Sequence, residues 1–377
     1  MQTPPLSLYI HIPWCLQKCI YCDFNSEPFC NKDDKDSYID AVCTDIKHEL
    51  LLHKDRKIHS IFIGGGTPTI LPIEKIKQLI STASPNFATN YDTEVIIEAN
   101  PETVDKQKLI EIKQAGVNRI SFGVQTFSDK QLQYLNRAHS SAKAKEIIKT
   151  AQEVGISNIN IDLMFGLPEQ TIEQMLDDID QAVALNPTHI SHYQLTLEPD
   201  TKLASMNPQM PSEELLTDMY AQSRNHLAQL GYHNYETSAF AKPGYECRHN
   251  LNYWQFGDFI GVGAGAHGKH TTSNSIVRYH KPSDYRAYIS SVESGNPRQS
   301  EALTEQEIIL EFMINAIRLT LGWDKQLFTE RTGIKYSAIE SKLKKLAKTG
   351  LLEISQDIVR PTDKGRMLLD EILGEFV

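Results

Sequence analysis

Three cysteines near the N-terminus stand close enough in the chain to serve one metal centre. Cys15, Cys19 and Cys22 lie in HIPWCLQKCIYCDFNS and are separated by three and then two residues. Thiolates at this spacing bind an iron–sulfur cluster or a structural zinc ion, and the remaining interpretation is three unrelated buried thiols. Zinc usually takes four protein ligands in two pairs, so it would require Cys30 or His11 as the fourth.

An iron–sulfur cluster would explain why no fourth cysteine lies nearby. Cubane clusters normally take one cysteine per iron, so three cysteines leave one iron open for a small ligand. No second closely spaced cysteine pair follows downstream, which disfavours zinc.

Six segments rich in β-branched residues predict the elements that position these cysteines. Each is nearly all apolar and is followed by helical periodicity, as expected of parallel strands covered on both faces. The alternation predicts an α/β fold, either a barrel or an open parallel sheet. The segments are 6–12, 60–66, 93–100, 119–125, 157–166 and 189–196.

Unusual polar, Gly and Pro motifs follow all six predicted strands. They are HIPWC, GGGTPT, EANPE, GVQTF, DLMFGLP and LTLEPDT. Function in such folds belongs at the carboxyl ends of the strands, so this convergence predicts one large site. The glycines Gly64, Gly65 and Gly66 are expected to let a ligand approach their backbone amides.

The chain changes character after about residue 268. We expect a barrel with its C-terminal extension over 1–270, an irregular polar connection over 271–302, and a small α-rich, winged-helix-like domain over 303–377. The winged-helix prediction rests on the order of the predicted elements: a helix, the strand GLLEI, a turn, the strand IVRPT and a final helix.

Composition limits the location and the partners of the protein. A net charge of −10 gives no global attraction to nucleic acid or anionic lipid. The N-terminal MQTPPLSLYIHIPW lacks the basic and apolar regions of a secretory signal, and no apolar run approaches the roughly 18 residues of a membrane span. The clustered cysteines fit a reducing compartment, so we expect a cytoplasmic protein.

The cysteine motif resembles the signature of radical S-adenosylmethionine (SAM) proteins. The three-then-two spacing follows a first strand, and the aromatic Tyr21 precedes the third cysteine. The resemblance implies a partial (β/α)6 TIM-like barrel and a [4Fe–4S] cluster on Cys15, Cys19 and Cys22. It further implies that the amino and carboxylate groups of SAM chelate the open iron, and that an electron from the cluster cleaves the sulfonium to give a deoxyadenosyl radical.

The same resemblance extends to the other strand ends. Carboxylates suit the ammonium and hydroxyl groups of SAM, and a guanidinium suits its carboxylate. Taken singly, each of these polar residues could equally be a surface or capping residue. The residues that the resemblance assigns to SAM are Tyr9, Gly65, Gly66, Thr67, Glu98, Gln125, Arg137, Asp162 and Thr196.

This set of motifs resembles the coproporphyrinogen dehydrogenase-like branch over nearly the whole chain. The oxygen-independent dehydrogenases of that branch decarboxylate two propionates in haem synthesis. They typically carry a further cysteine two positions after the third, and an N-terminal extension that helps form the active site. Here Phe24 occupies that position and only fourteen residues precede Cys15. Both differences weaken the dehydrogenase interpretation, which remains the alternative.

The segment HNLNYW resembles the HNxxYW motif of the HemW-type haem chaperones, which bind haem and deliver it to respiratory haem proteins. We therefore expect a haem chaperone whose partners are haem and such acceptors, at the membrane surface, with a homodimer left open. His249 would be an axial haem ligand, with Tyr253 and Trp254 as apolar cover. The alternative for His249 is a hydrogen-bonded core histidine. Cys247 is interpreted as a core residue, and His267 receives no role.

A third hypothesis is nucleic-acid binding by the C-terminal domain. Acidic residues interleave with its basic ones, so a solvated helix face explains the charges at least as well, and no nucleic-acid partner is predicted. We favour a lid or partner-docking role. The basic residues are Lys342, Lys344, Lys345, Lys348, Arg360, Lys364 and Arg366.

Overall fold

The structure, a computed structural model, describes residues 1–30, 34–83, 92–295 and 297–377. The strands are β1 Leu6–Ile12, β2 Trp14–Cys15, β3 Glu27–Pro28, β4 Ile58–Gly65, β5 Glu94–Ala99, β6 Arg119–Gln125, β7 Ile159–Phe165, β8 His189–Gln194, β9 His233–Glu236, β10 Ala239–Ala241, β11 Asp258–Val262, β12 His267–Thr271, β13 Ile276–His280, β14 Gln299–Ala302, β15 Trp323–Asp324, β16 Leu352–Ile354 and β17 Ile358–Pro361. The helices are α1 Lys35–Leu52, α2 Ile73–Ala83, α3 Lys106–Gln114, α4 Asp129–Tyr134, α5 Ser141–Glu153, α6 Ile172–Ala184, α7 Lys202–Ser205, α8 Glu213–Gln229, α9 Arg248–Trp254, α10 Tyr285–Glu293, α11 Glu305–Ala316, α12 Lys325–Thr332, α13 Ser337–Lys348, α14 Asp363–Met367 and α15 Leu369–Leu373.

One twelve-stranded sheet forms the body of the protein. Its order is β14-β13-β12-β11-β1-β4-β5-β6-β7-β8-β10-β9. The run from β11 to β8 is parallel, and the strands beyond it on either side are antiparallel. The six predicted strands are β1, β4, β5, β6, β7 and β8, and they are neighbours in chain order. The α/β partial barrel with an added C-terminal domain is thereby confirmed.

Strand β1 shows how the sequence assigns the two faces of the sheet. Leu8 and Ile10 are fully buried in the main apolar core together with Tyr38 and Val42 of α1. The intervening Ser7 turns to the other face, where it accepts a hydrogen bond from the hydroxyl of Ser60 on β4. Because side chains alternate along a strand, one face packs on helices and the other lines the barrel interior.

The expectation that 271–302 is an irregular connection is wrong. The segment contains the strands β13 and β14, which extend the sheet, and the helix α10 between them. Its polar residues suggested a loop, but Lys281 is buried and pairs with Asp45 at 2.8 Å and Glu49 at 2.9 Å, both on α1. Tyr288 also donates to Asp45 at 2.8 Å. These side chains therefore hold an ordered layer against α1.

The C-terminal part packs around Phe312, Trp323 and Phe328, in an apolar core that also includes Phe256 and Ile276 of the main body. Helix α13 is followed by β16, β17 and α14, as the sequence pattern predicts, and β15 completes a three-stranded sheet with order β15-β17-β16. Thr320 donates from its amide to the carbonyl of Tyr235, so this part contacts β9 of the main sheet. Across the described ranges, no helix is both long enough and apolar enough to cross a bilayer.

Candidate cluster and cofactor site

The three cysteines of the motif follow the carboxyl end of β1, with Cys15 in the short strand β2 and Cys19 and Cys22 in the loop between β2 and β3. All three side chains are half-buried and line a cavity of about 510 Å³. The loop is anchored by Trp14, a fully buried residue whose ring lies 5.0 Å from that of Tyr38. The β2–β3 bridge adds a hydrogen bond from the amide of Phe29 to the carbonyl of Cys15.

The thiols form a set that suits a cluster better than a single ion. Within the described parts of the chain, no three His, Cys, Asp or Glu residues converge on one metal position. Each cysteine of a cubane binds a different iron, so such convergence is not needed there. His11 is not available as a fourth zinc ligand, because its ring nitrogens pair with the Tyr9 hydroxyl at 2.9 Å and the Asn25 carbonyl at 2.8 Å.

The polar residues predicted at the strand ends meet the cysteines in this cavity. Eight of the nine residues assigned to SAM line it: Gly65, Gly66, Thr67, Glu98, Gln125, Arg137, Asp162 and Thr196. Tyr9 is the exception, since it faces a neighbouring cavity of about 380 Å³. The parallel register of β4 to β8 places these strand ends side by side, which explains the convergence.

The glycines of IGGGTPT are required by protein packing. The Gly65 amide donates to Glu98 Oε2 at 3.0 Å, and the Gly66 amide donates to the Ile12 carbonyl at 2.7 Å. A Cβ at Gly66 would lie 2.4 Å from the carbonyl oxygen of Trp14. The expectation that a ligand reaches these two amides is therefore wrong, because both N–H groups already have acceptors.

Two half-buried carboxylates in the cavity wall, Glu98 and Asp162, favour a positively charged ligand. Burial, together with the nearby Asp162, raises the pKa of Glu98 to about 8. Burial also raises the pKa of Asp162, against hydrogen bonds from Ser121 at 3.0 Å and Asn160 at 2.7 Å. A cationic ligand would favour the ionised forms of both groups. This donor set fits a molecule that carries an ammonium or sulfonium group.

Arg137 brings a half-buried positive charge next to the cysteines. Its Nη1 donates to Cys19 Sγ at 3.2 Å and its Nη2 donates to the Gly123 carbonyl. Burial alone would lower the pKa of the guanidinium, but Tyr21 and Cys19 outweigh burial and raise it. The buried Nε has no hydrogen-bond partner among the described residues, so the guanidinium retains a donor.

Gln125 adopts an uncommon backbone conformation at the end of β6. Its φ is 75°, at a register shift between β6 and β7. The side-chain Oε1 accepts a hydrogen bond from the Tyr193 hydroxyl at 2.7 Å. Left-handed backbone is uncommon in a non-glycine residue, and at Gln125 it accompanies a side-chain amide that lines the cavity.

Several cavity residues were missed from the sequence. Tyr193 lies in HISHYQ, whose period of two could have placed it on the barrel interior. Glu236 and Arg318 form the end of the cavity that meets the C-terminal part, with the guanidinium 4.4 Å from the Trp254 ring. Burial raises the pKa of Glu236 to about 7. Arg318 follows α11, so no local pattern indicated it.

The three residues predicted to bind haem occupy different places. His249 on α9 is buried, with Nδ1 2.9 Å from the Ser60 hydroxyl and Nε2 3.0 Å from the Tyr253 hydroxyl. Burial lowers its pKa to about 3. Tyr253 lines the smaller cavity and Trp254 the larger one. Both ring nitrogens of His249 are engaged, a geometry that favours the core-histidine alternative.

The sequence of this chain is similar to known protein families. Residues 9–182 match the Radical SAM superfamily, and residues 303–368 match the HemN C-terminal domain. Proteins named heme chaperone HemW from Haemophilus influenzae and Escherichia coli are each 40% identical to this chain, over 100% of it and 99% of their own length. The Bacillus subtilis protein of that name is 36% identical over 98% of this chain and 99% of its own.

A solved structure agrees with these sequence relatives. Coproporphyrinogen III oxidase (HemN) from Escherichia coli, a radical SAM enzyme, superposes with a TM-score of 0.83 at 26% identity, over 99% of this chain and 90% of its own. The resemblance predicted from the cysteine motif, the strand ends and HNLNYW is therefore confirmed at the level of family. The chain belongs to the HemW family within the radical SAM superfamily.

Proposed function

We propose that this protein is a haem chaperone that binds a [4Fe–4S] cluster, SAM and haem, and transfers haem to respiratory haem proteins. The observation that carries the proposal is the full-length similarity, at 40% identity, to proteins named heme chaperone HemW. The arrangement of the cavity supports the cofactor part of the proposal, and the residue at position 24 supports the carrier part.

In this proposal Cys15, Cys19 and Cys22 would hold the cluster, which when bound would supply an electron for cleavage of the SAM sulfonium. The chain itself binds and orients SAM. Glu98 and Asp162 would face the cationic and hydroxyl groups, since both carboxylates line the cavity. Gly65 and Gly66 would contact an ammonium through carbonyl oxygens, the acceptors such a group needs, because their amides are already bonded.

Phe24 supports a carrier over a decarboxylase. The side chain is 58% exposed and borders both the larger and the smaller cavity. An exposed aromatic ring beside two cavities offers apolar contact to a planar macrocycle. The dehydrogenase relatives typically place a cysteine at this position, so the chemistry available there differs.

The second candidate is an oxygen-independent coproporphyrinogen III dehydrogenase. It is favoured by the TM-score of 0.83 to HemN and by the presence of all three cysteines together with the polar strand ends. Both candidates use the same cluster and SAM site, so the loaded site alone does not separate them.

The two candidates are distinguished on a single anaerobically reconstituted preparation. Haemin is titrated into the protein while the Soret band is followed, and coproporphyrinogen III is supplied with SAM and a reductant in parallel. We expect saturable haemin binding and no decarboxylation. Turnover of coproporphyrinogen III without saturable haemin binding would reverse the assignment.

A further inference from the structure

The smaller cavity next to the SAM site has the walls of a macrocycle site. We call it the aromatic cavity; its volume is about 380 Å³, and its wall includes Tyr9, Phe24, Tyr253, Phe259 and His267. Tyr253 and Phe259 meet edge to face with ring centroids 4.6 Å apart, so this part of the wall is held in place. An aromatic wall with a histidine at its rim is suited to a planar apolar ligand that carries a metal.

His267 is the histidine of this cavity with available ring nitrogens. It is exposed at the start of β12, opposite His280 of β13, and the two ring centroids are 5.8 Å apart. No hydrogen bond links its ring nitrogens to any residue that the structure describes. Partial desolvation of the ring, with the charges of Arg278 and His280, lowers its pKa, which favours the neutral imidazole that binds metals.

Two other histidines near the cavity, His11 and His249, have both ring nitrogens bonded within the protein. His11 also lines the aromatic cavity, but both of its ring nitrogens pair with neighbours, the Tyr9 hydroxyl and the Asn25 carbonyl. His249 lies behind Tyr253, to whose hydroxyl its Nε2 is bonded at 3.0 Å. Ligation through one ring nitrogen of either imidazole would break the hydrogen bond that this nitrogen makes, whereas ligation by His267 breaks none of those described.

We propose that the aromatic cavity receives haem and that His267 is an axial ligand of the haem iron. This inference rests on the proposed function, and it names the site of the cargo. An imidazole nitrogen of His267 donates its lone pair to the iron and displaces a bound water. Phe24 covers one face of the macrocycle, and Tyr253 and Phe259 form the wall behind it.

Charge at the edge of the cavity suits the propionates of haem. The Arg278 guanidinium lies 5.1 Å from the Phe259 ring, on a strand adjacent to His267. Its existing ion pair with Glu311 is long, at 3.5 Å, and the Arg278 side chain is 29% exposed. A propionate at this edge would therefore gain a charge-assisted hydrogen bond without opening a buried pair.

This placement puts the cargo beside the SAM site. Glu98 and Gly65 line both cavities, so a single wall separates the two ligands. Haem and SAM could then be bound at once. A ligand in either cavity would therefore change the surroundings of the Glu98 carboxylate.

The test compares His267→Ala with His59→Ala in the full reconstituted protein. His59 is an exposed histidine near the start of β4, at the opposite end of the strand from the cavities, so it is a matched control. Haemin is titrated into each variant and the wild type, with Soret position and low-temperature EPR as readouts. We expect His267→Ala to lose the wild-type axial-ligand spectrum and to raise the haem Kd by about tenfold or more. Added imidazole should restore the spectrum.

Phe24→Ser provides a second variant that does not change a ligand. We expect it to weaken haem binding several-fold while keeping the wild-type EPR signature. Iron content and SAM binding of His267→Ala should equal those of the wild type, because His267 does not line the larger cavity.

The outcomes separate this inference from the proposed function. An unchanged Soret band and Kd in His267→Ala, with haem binding intact in the wild type, would overturn the assignment of the ligand and leave the chaperone standing. Failure of the wild type to bind haem would overturn the chaperone itself. Loss of haem binding in His59→Ala as well would also count against the assignment, since the effect would not be specific.

Discussion

Arg137 donates a hydrogen bond from Nη1 to the Sγ of Cys19 at 3.2 Å. This bond joins the cysteine loop to the turn that follows α4. Two further hydrogen bonds join the same segments. The Asn136 side-chain amide donates to the Lys18 carbonyl at 3.0 Å, and the Ile20 backbone amide donates to the Leu135 carbonyl at 3.4 Å. The loop that would hold a cluster is therefore positioned by protein contacts of its own.

The contact between Arg137 and Cys19 predicts a redox effect. Arg137→Gln should make the reduction potential of the cluster more negative, because a half-buried positive charge and a hydrogen bond to a cluster sulfur both favour the reduced form. A potentiometric titration followed by EPR measures the potential. Lys130→Gln, which changes an exposed charge, should leave the potential unaltered. An unchanged potential in Arg137→Gln would contradict the contact.

The assignment of the cysteines predicts the metal content. Cys19→Ser should abolish the brown absorbance and any cleavage of SAM after anaerobic reconstitution, because an iron loses its protein ligand. Cys30→Ser is the control, since Cys30 is exposed and does not line the cavity. Iron and sulfide analysis checks both variants. Wild-type protein that purifies with stoichiometric zinc and no iron would refute the cluster.

The raised pKa of Glu98 predicts a pH dependence of stability. The folded pKa of about 8 lies above the ordinary value of 4.5, so the folded protein without ligand binds an extra proton between these pH values. The contribution of Glu98 to stability is therefore complete below about pH 4.5 and is lost as pH rises toward 8, by at most about 1.4 kcal/mol per pH unit.

Glu98→Gln isolates this contribution, because the amide does not titrate. Between pH 5 and 8, the free energy of unfolding of the wild type should fall relative to that of the variant. Urea unfolding of the ligand-free proteins at several pH values measures the difference. A difference that stays constant with pH, or that grows in favour of the wild type, would show that Glu98 is ionised in the fold.

The buried ion cluster of Lys281, Asp45 and Glu49 predicts that substitution of Lys281 strongly lowers the free energy of unfolding. Lys281→Ala leaves Asp45 buried without a cationic partner, which typically costs about 3–5 kcal/mol, while Glu49 keeps its ion pair with Arg298 at 2.9 Å. Lys54→Ala, at an exposed site, should change the free energy of unfolding by less than about 0.5 kcal/mol. Denaturant unfolding compares the two. An equal change in the free energy of unfolding in the two variants would mean that other contacts hold the segment 271–302 to α1.

The C-terminal part is predicted not to bind nucleic acid. Lys344 pairs with Glu340 at 2.8 Å, and Lys345 pairs with Glu375 at 2.7 Å, so acidic residues offset the basic face. We expect fluorescence anisotropy with duplex DNA to show no specific binding at physiological salt. A tight complex whose affinity falls steeply with salt would contradict this prediction.

Local pattern was enough to predict the six parallel strands and the cysteine loop. Alternation and β-branched runs define β1 and β4 to β8, and parallel order brings their carboxyl ends together, so Glu98, Arg137 and Asp162 were predicted to lie near the cysteines. The confirmed convergence follows from topology. It required no knowledge of individual side-chain contacts.

Long-range pairing limited the remaining predictions. Lys281 looks like a loop residue until Asp45 and Glu49, more than two hundred residues earlier, are known to face it. His249 looks like a free ligand until Ser60 and Tyr253 occupy its nitrogens. Tyr9 lies on β1, the strand that precedes the cysteine loop, but it lines the smaller cavity. In each case the partner, and not the residue type, sets the role.

Haem transfer tests the central claim most directly. The reconstituted protein is loaded with one equivalent of haemin, freed of excess haem, and mixed with an apo respiratory haem protein in membranes, while both Soret bands are followed. We predict that the chaperone band declines as the acceptor becomes active, faster than with an equal amount of haemin on serum albumin. Haem that stays on the protein, or that reaches the acceptor no faster than from albumin, would contradict the account.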